Sequence, residues 1–155
     1  MELWAPDLIE SFGRLARSGA VELLGETYYH SLAFLGSREE FDEQVEMHAA
    51  KVESLFGLRP RVFRNTELIF SNEVARHVHG LGFKGVLAEG ADRVLDWRSP
   101  HFLYTTAGAP EIPVLLKSYR LSDDIAFRFG NHHWENWPVT AEKFASWLNA
   151  VNGCG

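Results

Sequence analysis

The stretch "RVFRNTELIFSNEVARHVHGLGFKGVLAEG" (residues 61–90) holds a strand, a helix and a second strand in one continuous run. "RVFRNTE" is apolar and β-favouring at Val62 and Phe63, as a buried strand requires. Ser71 stands where a helix cap belongs, and Val74, Val78 and Leu81 follow at helical spacing, which predicts a helix over "SNEVARHVHGLG". "KGVLAEG" then resumes as a strand. A strand, a covering helix and a second strand form a crossover unit whose strands run parallel. Glu67 is out of place in this run. Val62, Phe63, Leu68, Ile69 and Phe70 surround it with apolar groups, and burying a carboxylate without partners costs several kcal/mol. Either Glu67 is paired, or it emerges at a strand end where something needs it.

The same alternation extends in both directions. Upstream, "PDLIESFGRLAR" places Leu8, Ile9, Phe12, Leu15 and Ala16 on one helix face between Pro6 and Gly19. "AVELLGETYY" reads as a strand running into a loop. "SREEFDEQVEMHAAKVESLFG" opens with Ser37 and Glu40 in a capping box, repeats Phe41, Val45, His48, Val52 and Leu55, and stops at Gly57. Downstream, "WRSPHFLYTTAGAPE" is less regular, "IPVLLKSYRLS" is the most hydrophobic strand candidate, and a short helix is expected near "DDIAFRF". A last helix runs from a Thr140 cap to a Gly153 stop. With no linker or repeat, the reading is a single α/β domain over 1–155, built on a parallel sheet covered by helices.

Composition narrows the function. A net charge of -6 and a pI near 5.6 supply no basic stripe for nucleic acid. The single cysteine, Cys154, rules out an internal disulfide framework or a cysteine metal site and fits a reducing compartment. The N-terminus lacks the pattern of a signal peptide and no apolar run has the length of a membrane span. The expectation is therefore a cytoplasmic protein with neither nucleic-acid nor membrane partners.

In parallel sheets the functional site lies beyond the carboxyl ends of the strands. Here "VELLGE" ends at Glu26, "VFRNTE" at Glu67 and "GVLAE" at Glu89, while "LLKSYRLSDD" leads to Arg120, Asp123 and Asp124. Carboxylates on one rim suit glycosyl transfer or a hard cation. Glycosidic cleavage generally uses two of them, about 5 to 5.5 Å apart in a retaining enzyme. Each acid alone has a plainer use as a helix cap or as the partner of Arg64, Arg93 or Arg98. Neither His77 with His79 nor His132 with His133 has the spacing of a zinc helix, so no metal ligand is assigned. His48 falls on an apolar helix face and reads as a core residue, whereas His30 in "ETYYHSL" is a candidate for hydrogen bonding to substrate. No nucleophile elbow and no glycine-rich phosphate loop are present, and no cofactor is expected.

"ELLGETYYHSLAFL", "VFRNTELIFSNEVA", "GFKGVLAEGADRVLDWRSP" and "LLKSYRLSDDIAFRF" together resemble the middle of the catalytic domain of glycoside hydrolase family 57, in its α-amylase-like branch. The resemblance implies a distorted (β/α)7 barrel, present here only in part, and a retaining mechanism on α-glucans such as starch, glycogen or maltodextrins. It implies that Glu67 is the catalytic nucleophile. With rim position, it also suggests substrate contacts at Glu26, His30, Glu89 and Asp124. The family's opening His-Gln-Pro motif and its Asp-Tyr-Glu-x-Phe-Gly general-acid motif are both absent. Asp124 matches a different, upstream segment and does not inherit the acid's role. A closed barrel needs at least about 200 residues, so an internal fragment is expected, inactive by itself and prone to self-association through exposed sheet edges. Two other readings stand beside this one. The first is a non-catalytic α-glucan-binding module stacking sugars on Trp97, Trp134, Trp137 and Tyr104. The second is a metal-dependent deacetylase on a related barrel, which needs an Asp and two His that the spacing does not provide.

Overall fold

A computed structural model of the chain describes residues 2–151, without the side chains of 109–111. The crossover unit forms as the sequence predicts. Strand β1 (Val62–Arg64) is followed by a single 3-10 turn (Thr66–Leu68), a helix over Asn72–Gly80 and a strand over Gly85–Glu89. In chain order the helices are α1 (Pro6–Arg17), α2 (Arg38–Phe56), α3 (Asn72–Gly80), α4 (Asp92–Leu95), α5 (Tyr119–Asp123) and α6 (Ala141–Val151). The remaining strands are β2 (Gly85–Glu89), β3 (Leu103–Thr106) and β4 (Ala109–Lys117). The sheet order is β1-β2-β4-β3.

Strands β1 and β2 are parallel, with Val62 opposite Gly85, Phe63 opposite Val86 and Arg64 opposite Leu87. On the other side of β1 the expected strand over 21–26 reduces to one parallel bridge, Gly25 to Phe63. Gly25 N–H donates to the Val62 carbonyl at 2.8 Å, and Arg64 N–H donates to the Gly25 carbonyl at 2.8 Å. Glycine is needed there, because a Cβ would lie 2.5 Å from the Phe83 ring. Beyond β2, Gly85 meets Pro113 and Gly90 meets Leu116 and Lys117, so β4 runs in the same direction as β2. The stretch expected to be irregular supplies β3 and the start of β4. They are joined at Ala107 and Gly108, whose φ of 75° turns the chain back in an antiparallel hairpin.

The chain forms two compact units, Met1–Ala88 with Thr105–Val114, and Glu89–Tyr104 with Leu115–Gly155. The first holds a core of Phe34, Phe41, Val45, Phe63, Val74, Ala75, Val78, Phe83, Val86 and Ile112. Its rings meet edge to face, Phe41 to Phe63 at 5.7 Å and Phe63 to Phe83 at 5.2 Å between centroids. Such contacts hold the middle of β1, at Phe63, against the core. Helix α2 is capped as expected: the Ser37 hydroxyl accepts from Glu40 N–H, and Gly57 ends the helix at φ 73°. Ser71 caps α3 in the same way, accepting from Val74 N–H, and Val74 and Val78 are buried. Leu81, expected inward, is exposed at the helix end. On α1 only Gly13 and Ala16 are buried, and Leu8, Phe12 and Leu15 lie open.

In the second unit, helix α5 begins at Tyr119, earlier than expected. Asp123 therefore closes α5 and Asp124 opens a π-helical turn (Asp124–Arg128), and neither side chain caps a helix. Thr140 does cap α6, accepting from Lys143 N–H at 3.2 Å. The expected Gly153 stop and Cys154 lie outside the described residues. Among the described residues no helix is long and apolar enough to cross a membrane.

Candidate active site

Strand β1 stops at Arg64, three residues short of Glu67, so the carboxylate sits on the following turn and not on the strand itself. The turn is tight. Leu68 N–H donates to the Asn65 carbonyl at 2.9 Å, Ile69 N–H to the Thr66 carbonyl at 3.1 Å, and Asn65 Nδ2 to the Ile69 carbonyl at 3.0 Å. Its geometry forces Glu67 to φ 53° and Leu68 to φ 56°, both in the left-handed region that disfavours side chains. Each such residue costs on the order of 1–3 kcal/mol. The surrounding hydrogen bonds hold that cost in place and present Glu67 to solvent, its side chain 74% exposed.

Opposite this turn lies the loop that follows the Gly25 bridge. His30, also left-handed at φ 52°, points its imidazole at Glu67, with Nε2 3.0 Å from Oε1. Its other nitrogen, Nδ1, is 3.5 Å from Glu26 Oε2, and Glu26 Oε2 is in turn 3.8 Å from Arg64 Nη1. The Glu67 hydrogen bond is the largest influence raising the His30 pKa above the ordinary imidazole value; burial opposes it and Glu26 adds to it. Three sequence-predicted residues, Glu26, His30 and Glu67, thus come together in the first unit.

The residues that hold this cluster were not among those predicted. Thr27 and Thr66 are both buried, and their hydroxyls lie 3.0 Å apart. The Thr27 hydroxyl also accepts from Ser31 N–H at 2.9 Å and donates to the Ser31 carbonyl at 3.2 Å, so Thr66 is the donor of the pair and Thr27 has every bond that a hydroxyl can make. The Ser31 hydroxyl donates to Gln44 Oε1 at 2.8 Å, tying the loop to α2. The available signal was a threonine beside an acid in two apolar segments, "GET" and "NTE". His48, expected in the core, is only half-buried; its Nδ1 has no partner and burial pushes its pKa down, with Glu26 acting in the opposite direction.

Glu89 and Asp124 belong to the second unit, where each has a cation of its own. Glu89 lies 3.6 Å from Lys117, which is 3.8 Å from Asp123, and Asp124 pairs with Arg128 one helical turn on. Arg120 meets the Tyr119 hydroxyl, which donates to Asp92 at 2.6 Å. Of the aromatic residues singled out from the sequence, Trp97 is 86% exposed. Trp137 stacks on His132 at 4.3 Å, Trp134 packs edge-on against Trp147, and the Tyr104 hydroxyl donates to the Ser99 carbonyl. Among the described residues no group of three or more His, Cys, Asp or Glu side chains is arranged to hold a metal ion.

A solvent-facing carboxylate on a strained turn, braced by an imidazole, is equipped to attack an electrophilic carbon or to take a proton. The model of "Glycosyl hydrolase family 57" matches residues 1–153. A Methanocaldococcus jannaschii protein named "Putative alpha-amylase" is 46% identical over 147 residues, which are 94% of this chain and 31% of that protein. The chain therefore spans about a third of the length of that relative. Among solved structures, the 4-alpha-glucanotransferase of Thermococcus litoralis superposes with a TM-score of 0.75 at 19% identity, over 97% of this chain and 22% of that one. A Mycobacterium smegmatis protein described as a "putative polysaccharide deacetylase" gives 0.63 at 16% identity, over 96% of this chain and 50% of that one. At these identities the two structures establish likeness of fold.

Proposed function

The chain belongs to glycosyl hydrolase family 57, and on that premise we propose that it forms part of the catalytic domain of a retaining enzyme acting on α-glucans, with Glu67 as nucleophile. The observation that carries this reading is the placement of Glu67: open to solvent just past β1, on a turn that holds it in the left-handed backbone region. In this reading a Glu67 oxygen attacks the anomeric carbon as the glycosidic oxygen leaves with a proton from a general acid. The glycosyl ester then passes its sugar to water, which is hydrolysis, or to another sugar hydroxyl, which is transfer. The general acid is not assigned to any residue of this chain. Glu26, beside Glu67 in the first unit, is proposed as a substrate contact, and the sheet as a segment of a (β/α)7 barrel; Glu89 and Asp124, in the second unit, are left to the ion pairs that they make there. Likeness of fold to the glucanotransferase and the name of the archaeal relative both support an α-glucan substrate.

The test uses an activated fluoro-sugar, whose fluoride departs without protonation and so needs no general acid. Incubated with the 155-residue chain, an α-glucosyl fluoride of this kind is expected to leave a covalent sugar on the peptide containing Glu67, read by mass spectrometry. Glu67→Gln is expected to abolish the label while leaving glucan binding intact. A second reading, a non-catalytic α-glucan-binding module, is favoured by the near-complete exposure of Trp97. It predicts no label in the unmodified chain and loss of glucan binding in Trp97→Ala.

A further inference from the structure

Of the groups around Glu67, His30 has a geometry that hydrogen bonding to a sugar does not explain. Its two ring nitrogens face two different carboxylates, Glu67 at 3.0 Å from Nε2 and Glu26 at 3.5 Å from Nδ1. A neutral imidazole carries one N–H and one lone pair, so it satisfies one carboxylate and repels the other. Only the doubly protonated ring donates to both. Both nitrogens are thereby committed to protein, and the residue sent toward a sugar by sequence reasoning faces Glu67 instead.

Resting on the nucleophile reading above, we infer that His30 is a positioning residue: as an imidazolium tethered by Glu26, it holds the Glu67 carboxylate in its attacking orientation. The charged groups around the pair are few. Glu26 and Glu67 face His30 directly, Arg64 on β1 faces Glu26, and His48 on α2 feels the charge of Glu26. Arg64 keeps Glu26 tethered without competing for Glu67. Because His30 titrates above the ordinary imidazole value, the clamp persists to higher pH than an unpaired imidazolium would. It is lost as the pH rises through that raised value.

The experiment follows the rate of Glu67 labelling by the activated fluoro-sugar across pH, together with the concentration giving half-maximal rate. In the unmodified chain the maximal labelling rate is expected to fall on the alkaline side with the His30 titration followed by NMR of its ring. His30→Gln keeps a single neutral donor; it is expected to slow maximal labelling about tenfold, flatten the alkaline fall and leave the half-maximal concentration unchanged. Glu26→Gln is expected to shift the alkaline fall to lower pH. If His30→Gln instead raises the half-maximal concentration at an unchanged maximal rate, His30 is a substrate contact and the inference is overturned. An unchanged pH profile in both variants overturns it equally. Failure of the unmodified chain to label at Glu67 is a different result, which removes the nucleophile reading and the role of His30 together.

Discussion

Asn65 is the residue on which the shape of the Glu67 turn depends. It is buried, and its amide spans the turn to the Ile69 carbonyl, closing over the two left-handed residues. Asn65→Ala removes that bond and leaves the Ile69 carbonyl to solvent, so a loss of about 1–2 kcal/mol in chemical denaturation is expected. The labelling rate at Glu67 should fall with it, since a relaxed turn no longer aims the carboxylate. At this scale the acids of the site were legible, because a charged residue closing an apolar run has few uses. Thr27, Thr66 and Gln44 were not. A hydroxyl in sequence does not announce whether its partner is water or another hydroxyl, and here the partner lies 39 residues away. Asp124 was read as a helix cap or a sugar contact, and its pairing with Arg128 emerged only once the helix register was known.

At the scale of elements, legibility followed the strength of local chemistry. Helices α2 and α3 carry serine caps and, in α2, a glycine stop, and both form where the spacing predicts. The segment over 21–26 has the composition of a strand but pairs only at Gly25, where both backbone groups are spent on β1. Its apolar residues alone do not specify how many rungs of the ladder close. The β3–β4 hairpin was missed because its two-residue turn is Ala-Gly, a weaker signal than Asn-Gly or Asp-Gly. The packing at Gly25 gives this scale its prediction. In Gly25→Ala the new methyl meets the Phe83 ring, itself packed on Phe63, so overpacking should cost about 1–3 kcal/mol. Thermal unfolding measures it, and an unchanged midpoint would mean that the ring has somewhere else to go.

For the whole molecule, the described surface carries many large apolar side chains. Trp4 is 91% exposed, and on α1 the side chains of Leu8, Phe12 and Leu15 are 46, 45 and 43% exposed. Apolar surface left open in this way favours association, so sedimentation velocity should show a weight-average mass that rises with concentration. Phe12→Glu, on the open face of α1, is expected to reduce that rise; an equal rise in the variant would point to the sheet edges instead. The Thr27–Thr66 hydroxyl pair has a consequence of another kind, for the order of events in folding. Closing a loop of its span costs roughly 3 kcal/mol of chain entropy, while a single hydrogen bond returns about 1 kcal/mol. The pair therefore cannot nucleate anything. It forms once Phe41 of α2 has packed against the Phe63 ring and both loops are within reach, so the hydroxyl pair follows the packing of the first unit's core and does not direct it.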